Sequence, residues 1–184
     1  FIKQGCRVIY IAFSAAEESV LDHLPRDILR TEVKAAVTSL GLCPEDLHIL
    51  NFPVRYFPEN RQAILESMVE LEKKFKPDIV FLPSANDTHQ DHQTIATEGF
   101  RAFKRHTMLG YEVPWNNLNF STGCFIEITQ DELESKIRAM ECYKSQSHRA
   151  YARGSFLTSL ATVRGVQIGK KFAETFEVIR WIVD

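Results

Sequence analysis

The chain has 184 residues, 45% of them hydrophobic and 25% charged, enough for a core and ordinary for a globular protein. Its formal net charge of −2 removes any electrostatic case for a nucleic-acid partner or an anionic membrane surface. No apolar run is long enough to span a bilayer, and no secretory signal is visible; the sequence opens on Phe1 rather than Met, so a fragment or a processed form is expected.

In chain order, Phe1 to Gln4 reads as a helix end closed by Gly5. Arg7 to Phe13 is β-branched and aromatic and predicts a buried strand. After a small and acidic loop, Ile28, Leu29, Val33, Ala36, Val37 and Leu40 recur at helical spacing over Arg26–Leu40, and Gly41 suits the position just beyond. His48–Phe52 predicts a second strand. Asn60–Phe75 predicts a long amphipathic helix, broken by Lys76-Pro77-Asp78, and Ile79–Leu82 a third strand.

Ser84–Gln90 is then a loop, and a helix resumes from His92 to Phe103. Further on, Gly123–Ile128 predicts a strand, Asp131–Tyr143 and Arg149–Arg164 helices, and Phe176–Val183 a final strand. Apolar strands alternating with helices indicate an α/β domain with a mostly parallel sheet covered by helices on both faces. No repeat, linker or low-complexity tract divides it, so residues 1–184 read as one domain. The opening on a helix end implies that a first strand and its helix are missing.

Four cysteines, Cys6, Cys43, Cys124 and Cys142, lie far apart without a Cys-x-x-Cys pair. Cys6 and Cys124 fall in predicted strands, where thiols act as small apolar groups. This usage points to reduced structural cysteines in a cytoplasmic protein.

The unusual polar cluster is Asp87-Thr88-His89-Gln90-Asp91-His92, placed after a buried strand, where open α/β sheets bind ligands. Imidazole is the commonest metal ligand and suits zinc, and catalytic zinc sites take three protein ligands and keep one position open. One histidine can hold a metal while the other faces the substrate. Asp91 could accept an imidazole N–H, and Asp87 could make a polar contact or cap the following helix. The plain alternative is a surface loop with two solvated histidines. His23, His48, His106 and His148 read as structural or solvated.

Lys76-Pro-Asp-Ile-Val-Phe-Leu-Pro-Ser-Ala-Asn-Asp-Thr-His-Gln-Asp-His92 resembles the second metal motif of the PIG-L/LmbE-like N-deacetylases. Glu32, Ala36, Leu40 and Gly41 are similar to that family's helix after its second strand. Leu109-Gly110-Tyr111-Glu112, with Pro114-Trp115, resembles the strand after its catalytic helix. Tyr143-Lys144-Ser145-Gln146, Arg164-Gly165 and Phe172-Ala173-Glu174-Thr175-Phe176 resemble its C-terminal signature.

The resemblance implies a Rossmann-like fold and zinc-dependent removal of an acetyl group from an N-acetylglucosamine-type substrate. Zn2+, or another divalent metal, would be the cofactor. His92 would be a zinc ligand. His89 would be the catalytic histidine at the oxyanion, with Asp91 orienting it. Arg30 would contact the substrate, and Asp87 and Tyr111 are read with it as substrate-binding residues. Trp115 and Arg55 could also line a sugar pocket. The partner implied is an amino-sugar small molecule, and the family habit implies a homo-oligomer.

The family's first motif, His-Pro-Asp-Asp-Glu, supplies two further zinc ligands and a general base, and is absent from this sequence; Phe1 would fall just downstream of it. A chain truly beginning there would retain zinc poorly. The competing reading is a non-catalytic α/β module that binds a sugar or a partner without a complete metal site.

Overall fold

The computed structural model describes residues 1–183, which fall into two compact units. The first comprises residues 1–54 and 127–174, the second 55–126 and 175 onward.

In the first unit, β1 (Tyr10–Ala12) pairs in parallel with β2 (Leu47–Ile49), Tyr10 opposite Leu47 and Ala12 opposite Ile49. Between them runs α1 (Ile28–Ser39). Its apolar stripe places Val33 and Val37 in a core with Leu42, onto which Val8, Leu47, Ile49 and Tyr143 pack. The helix stops where Gly41 takes φ +85°, a left-handed position that suits glycine. α4 (Gln130–Glu141) starts in a full capping box: Thr129 accepts from Glu132 N–H while the Glu132 carboxylate accepts from Thr129 N–H. α4 packs against α5 (Gly154–Gln167) around Leu133, Ala161 and Phe172.

Also in this unit, the buried carboxylate of Glu32 on α1 accepts hydrogen bonds from Ser145 N–H at 2.8 Å and Ser145 Oγ at 2.5 Å. Two widely separated stretches of the sequence signature therefore meet in one buried interaction.

In the second unit, β3 (Ile79–Pro83) and β4 (Thr107–Tyr111) are parallel, with Pro83 opposite Tyr111. β6 (Ala173–Arg180) runs antiparallel to β4, and β5 (Cys124–Glu127) completes the order β3-β4-β6-β5; both of these lie mainly in this unit. α2 (Arg61–Phe75) and α3 (Gln90–Ala102) pack together, and Ile64, Met68, Leu82, Ala96 and Met108 are buried. α2 ends where Lys76 adopts φ 45° ahead of Pro77, which cannot extend a helix. α3 comes close to β3 at Gly99, where a β-carbon would lie 2.6 Å from Leu82 Cδ2. Glu98, fully buried on α3, is held by Arg61 and Arg101, each at 2.6 Å.

This is a mixed α/β fold with helices and a mostly parallel sheet arrangement, β1–β2 and β3–β4 being parallel and β4–β6 antiparallel. Among the described residues no helix is long and apolar enough to cross a membrane. Several sequence-based bounds move. The first strand shrinks to Tyr10–Ala12 because only those residues find partners on β2. α5 begins at Gly154 rather than Arg149, since extended backbone at Arg153 separates it from a short turn over Ala150–Ala152. β6 begins at Ala173 and ends at Arg180. Cys6 is exposed and lies outside the strand, so the expectation of a buried strand cysteine fails there; Cys124 is in β5 and partly buried, and all four thiols are free.

Candidate active site

The cluster Asp87–His92 leaves the carboxyl end of β3 and enters the first turn of α3. Its geometry is set by Asp87, whose side chain is 0% exposed. One carboxylate oxygen accepts the His89 backbone N–H at 2.8 Å, closing the turn; the other lies 2.7 Å from His92 Nδ1. A carboxylate cannot donate, so the proton of this pair belongs to the imidazole and a neutral His92 is the Nδ1–H tautomer. Its Nε2 then carries a lone pair, and the ring is 35% exposed.

The Asp87 loop is itself fastened. Asp87 N–H donates to Ser84 O at 3.1 Å, and Thr88 donates to Asn116 O through both its N–H, at 3.1 Å, and its hydroxyl, at 2.9 Å. Asn86 Nδ2 reaches the buried carboxylate of Glu177 on β6 at 3.2 Å.

His89 is the N-cap of α3, a position usually held by serine, threonine or aspartate. Its Nδ1 accepts the Asp91 backbone N–H at 3.2 Å, so a neutral His89 carries its proton on Nε2. The two rings lie 4.9 Å apart between centroids. One helix turn thus presents a nitrogen lone pair beside an N–H donor, from neighbouring imidazoles of opposite tautomer.

The other expected residues take different places. Asp87, expected at the substrate, is buried with both oxygens committed to the two histidines. Asp91, expected to orient His89 by its carboxylate, meets His89 only through its backbone N–H; the carboxylate turns to the backbone of Arg55 and Phe57. The part foreseen for Asp91 is played for His92 by Asp87. Tyr111 lies at the carboxyl end of β4, one strand from the loop, in register with Pro83. Arg30 belongs to the first unit, where it donates to Glu17 at 2.7 Å and Asn51 at 2.5 Å. There it lines a cavity of about 380 Å³ with Lys34, Thr38, Pro44 and Leu47.

The hydrogen bonding of His92 is of the kind a metal ligand has: a buried carboxylate holds its Nδ1, as an outer partner usually does for metal-bound histidines. Among the described residues no group of three His, Cys, Asp or Glu side chains converges on a metal site, so His92 by itself does not complete one.

Fold and loop together define an α/β protein with a histidine pair at the carboxyl end of a parallel strand. Residues 1–103 match the PIG-L family, described as GlcNAc-PI de-N-acetylase, and the chain belongs to that family. No curated protein matches it by sequence. Among solved structures it is similar to N,N'-diacetylchitobiose deacetylase from Pyrococcus horikoshii, with TM-score 0.78 and 20% identity over 97% of this chain and 74% of that one. It is also similar to the A40926 pseudoaglycone deacetylase Dbv21, with TM-score 0.78 and 15% identity over 100% of this chain and 89% of that one. A third similar structure is GalB, the 4-carboxy-2-hydroxymuconate hydratase from Pseudomonas putida KT2440, with TM-score 0.77 and 17% identity over 100% and 88%. At these identities the likeness is one of fold.

Proposed function

We propose that the chain carries part of the active site of a zinc-dependent N-deacetylase acting on an N-acetylglucosamine-type substrate. The observation that carries this reading is the pair of opposite tautomers fixed at the start of α3. His92 would hold the cation through Nε2, with Asp87 keeping its ring from turning. A bound divalent cation would polarise the acetyl carbonyl and acidify a water molecule. His89 would donate its Nε2 proton as a hydrogen bond to the carbonyl oxygen that gains negative charge as the amide is attacked. The same proton is placed for delivery to the departing amine. Tyr111 and Arg30 remain proposed substrate contacts.

The family match runs through the junction of the two units at Val54–Arg55, which supports reading the whole chain as one deacetylase domain. Deacetylases among the similar structures support the reaction class, and a similar structure described as a zinc-inhibited form of teicoplanin deacetylase Orf2 supports a metal in the chemistry. The four free thiols support a cytoplasmic location.

The test is acetate release and zinc content in the full-length protein. His92→Ala should lose bound zinc. His89→Gln should keep the metal and lose turnover by about 10² or more, the usual cost of removing an acid or an oxyanion donor. Full activity in both variants would overturn the assignment.

A further inference from the structure

Glu177 is a buried acid on β6, placed between Phe176 and Val178. A buried carboxylate is costly unless hydrogen bonds replace its water. Here one oxygen, Oε1, accepts from Asn86 Nδ2 and from Ser121 N–H, each at 3.2 Å. Neither donor belongs to the sheet. Asn86 sits in the loop between β3 and α3, next to Asp87, and Ser121 sits in the loop between β4 and β5.

A gap in β4 makes this reach possible. Glu177 stands opposite Gly110 in the antiparallel register, and a β-carbon at Gly110 would lie 3.2 Å from Glu177 Oε2 and 3.4 Å from Glu177 Cβ. Glycine inside a strand weakens it and marks a close approach. The same β-carbon would lie 3.4 Å from the Cα of Ser84, where the histidine loop begins. Ser84 is fully buried; its hydroxyl accepts Asn86 N–H and its carbonyl accepts Asp87 N–H, each at 3.1 Å. The β4–β5 loop also meets the turn directly, since Asp87 and Asn117 form an antiparallel bridge. Asn117 is itself braced by its Oδ1, which accepts Val113 N–H at 2.6 Å. The turn carrying Asp87 is thus tied to a neighbouring loop and, through Glu177, to the sheet.

We propose that Glu177 is a positioning residue for the histidine pair: by holding Asn86 and Ser121 together it locks the Asp87 turn to the β4–β5 loop and keeps the Asp87 carboxylate against His92 Nδ1. The inference rests on the deacetylase reading and deepens it by extending the support of the His92 ring from Asp87 to β6. Partners beyond the first contact fix the orientation of an imidazole that binds a metal, and their loss is felt in metal affinity. The buried acid and the strand glycine, each unfavourable alone, act here as one device.

The experiment follows the His92 Nδ1–H proton by NMR and zinc affinity by titration, in the full-length protein. Glu177→Ala should shift or broaden the His92 Nδ1–H signal of the metal-free protein and lower zinc affinity by about tenfold, the lower end of what losing an outer partner costs. Asn86→Ala, at an exposed position, should move both readouts the same way by less, since Ser121 stays held. Glu177→Gln keeps an acceptor oxygen for both donors and should restore the signal and the affinity. A merely structural acid would instead give a lower Tm with the His92 signal in place. An unchanged His92 signal and unchanged zinc affinity in both Glu177→Ala and Asn86→Ala would overturn the inference and leave the deacetylase reading intact. A full-length protein that binds no zinc sinks that reading instead, and the His92 proton of the metal-free state still decides the role of Glu177.

Discussion

Glu32 in the first unit and Asp87 in the second are both carboxylates shut off from solvent, and each is satisfied by a backbone N–H and one side chain. Beyond that they differ. Glu32 holds Ser145, itself buried, whose hydroxyl in turn accepts, among the described residues, only the Gln146 side-chain amide, a structural contact. Asp87 holds His92, whose far nitrogen is left with a lone pair on a ring open to solvent. The same device of a buried acid held by hydrogen bonds stabilises in one place and prepares a reactive group in the other. What separates structure from chemistry is whether the residue the acid grips has a second functional atom to offer.

The comparison breaks most sharply at Asp87. Asp87→Ala should strand the His89 N–H, release the His92 ring, and lower zinc affinity of the full-length protein by about 10–100-fold, as loss of an outer partner does. It should also cost about 1–3 kcal/mol of stability. A zinc titration with a thermal melt reads both. Next in size is Glu32→Ala, which leaves two buried donors of Ser145 unpaired and should cost about 1–3 kcal/mol with no change in the His89 and His92 NMR signals. A double-mutant cycle with Ser145→Ala isolates the pair.

Smaller effects follow from titration. Burial raises the Tyr143 phenol above its ordinary value of 10.0, with the negative charge of Glu32 acting in the same direction. A group whose acid form is favoured in the folded state stabilises fully below its unfolded pKa, and that stability declines as pH rises above about 10. Alkaline melts should show this decline, and Tyr143→Phe should reduce it. The smallest effect is at the capping box of α4. Hydrogen bonds from the backbone and hydroxyl of Thr129 hold the exposed Glu132 carboxyl below its ordinary value near 4.5. Its contribution is present above that pH and fades as pH falls through the lowered value. A loss of helicity in acid, diminished in Glu132→Gln, would register it.

Much of the fold was legible because periodicity is local. The stripe Ile28–Val37 and the stripe Ile64–Met68 need only their own spacing, and α1 and α2 appear within two residues of where that spacing puts them. The first strand was overdrawn because a β-branched run marks what could pair, whereas pairing is set by a partner: Arg7 to Ile9 have the composition of a strand and no counterpart on β2. The histidine loop was legible from its crowding of imidazoles and acids after a strand. Which acid serves which imidazole was not. Asp87 and His92 are five apart and meet because the turn between them folds back onto the Asp87 carboxylate. Asp91 is adjacent to His92 and two from His89, yet its side chain closes on backbone 34 and 36 residues earlier. No local spacing encodes that contact. The left-handed backbone of Arg55, which the sequence offered only as a possible pocket residue, is likewise invisible until the fold is known.

The most direct measurement is the tautomer of each imidazole, read from long-range ¹H–¹⁵N NMR correlations at neutral pH. The hydrogen bonds assign neutral His92 as Nδ1–H with Nε2 unprotonated, and neutral His89 as Nε2–H with Nδ1 accepting. Added zinc should then move the His92 Nε2 resonance. A His92 protonated on Nε2, or a His89 protonated on Nδ1, would contradict the account at its root.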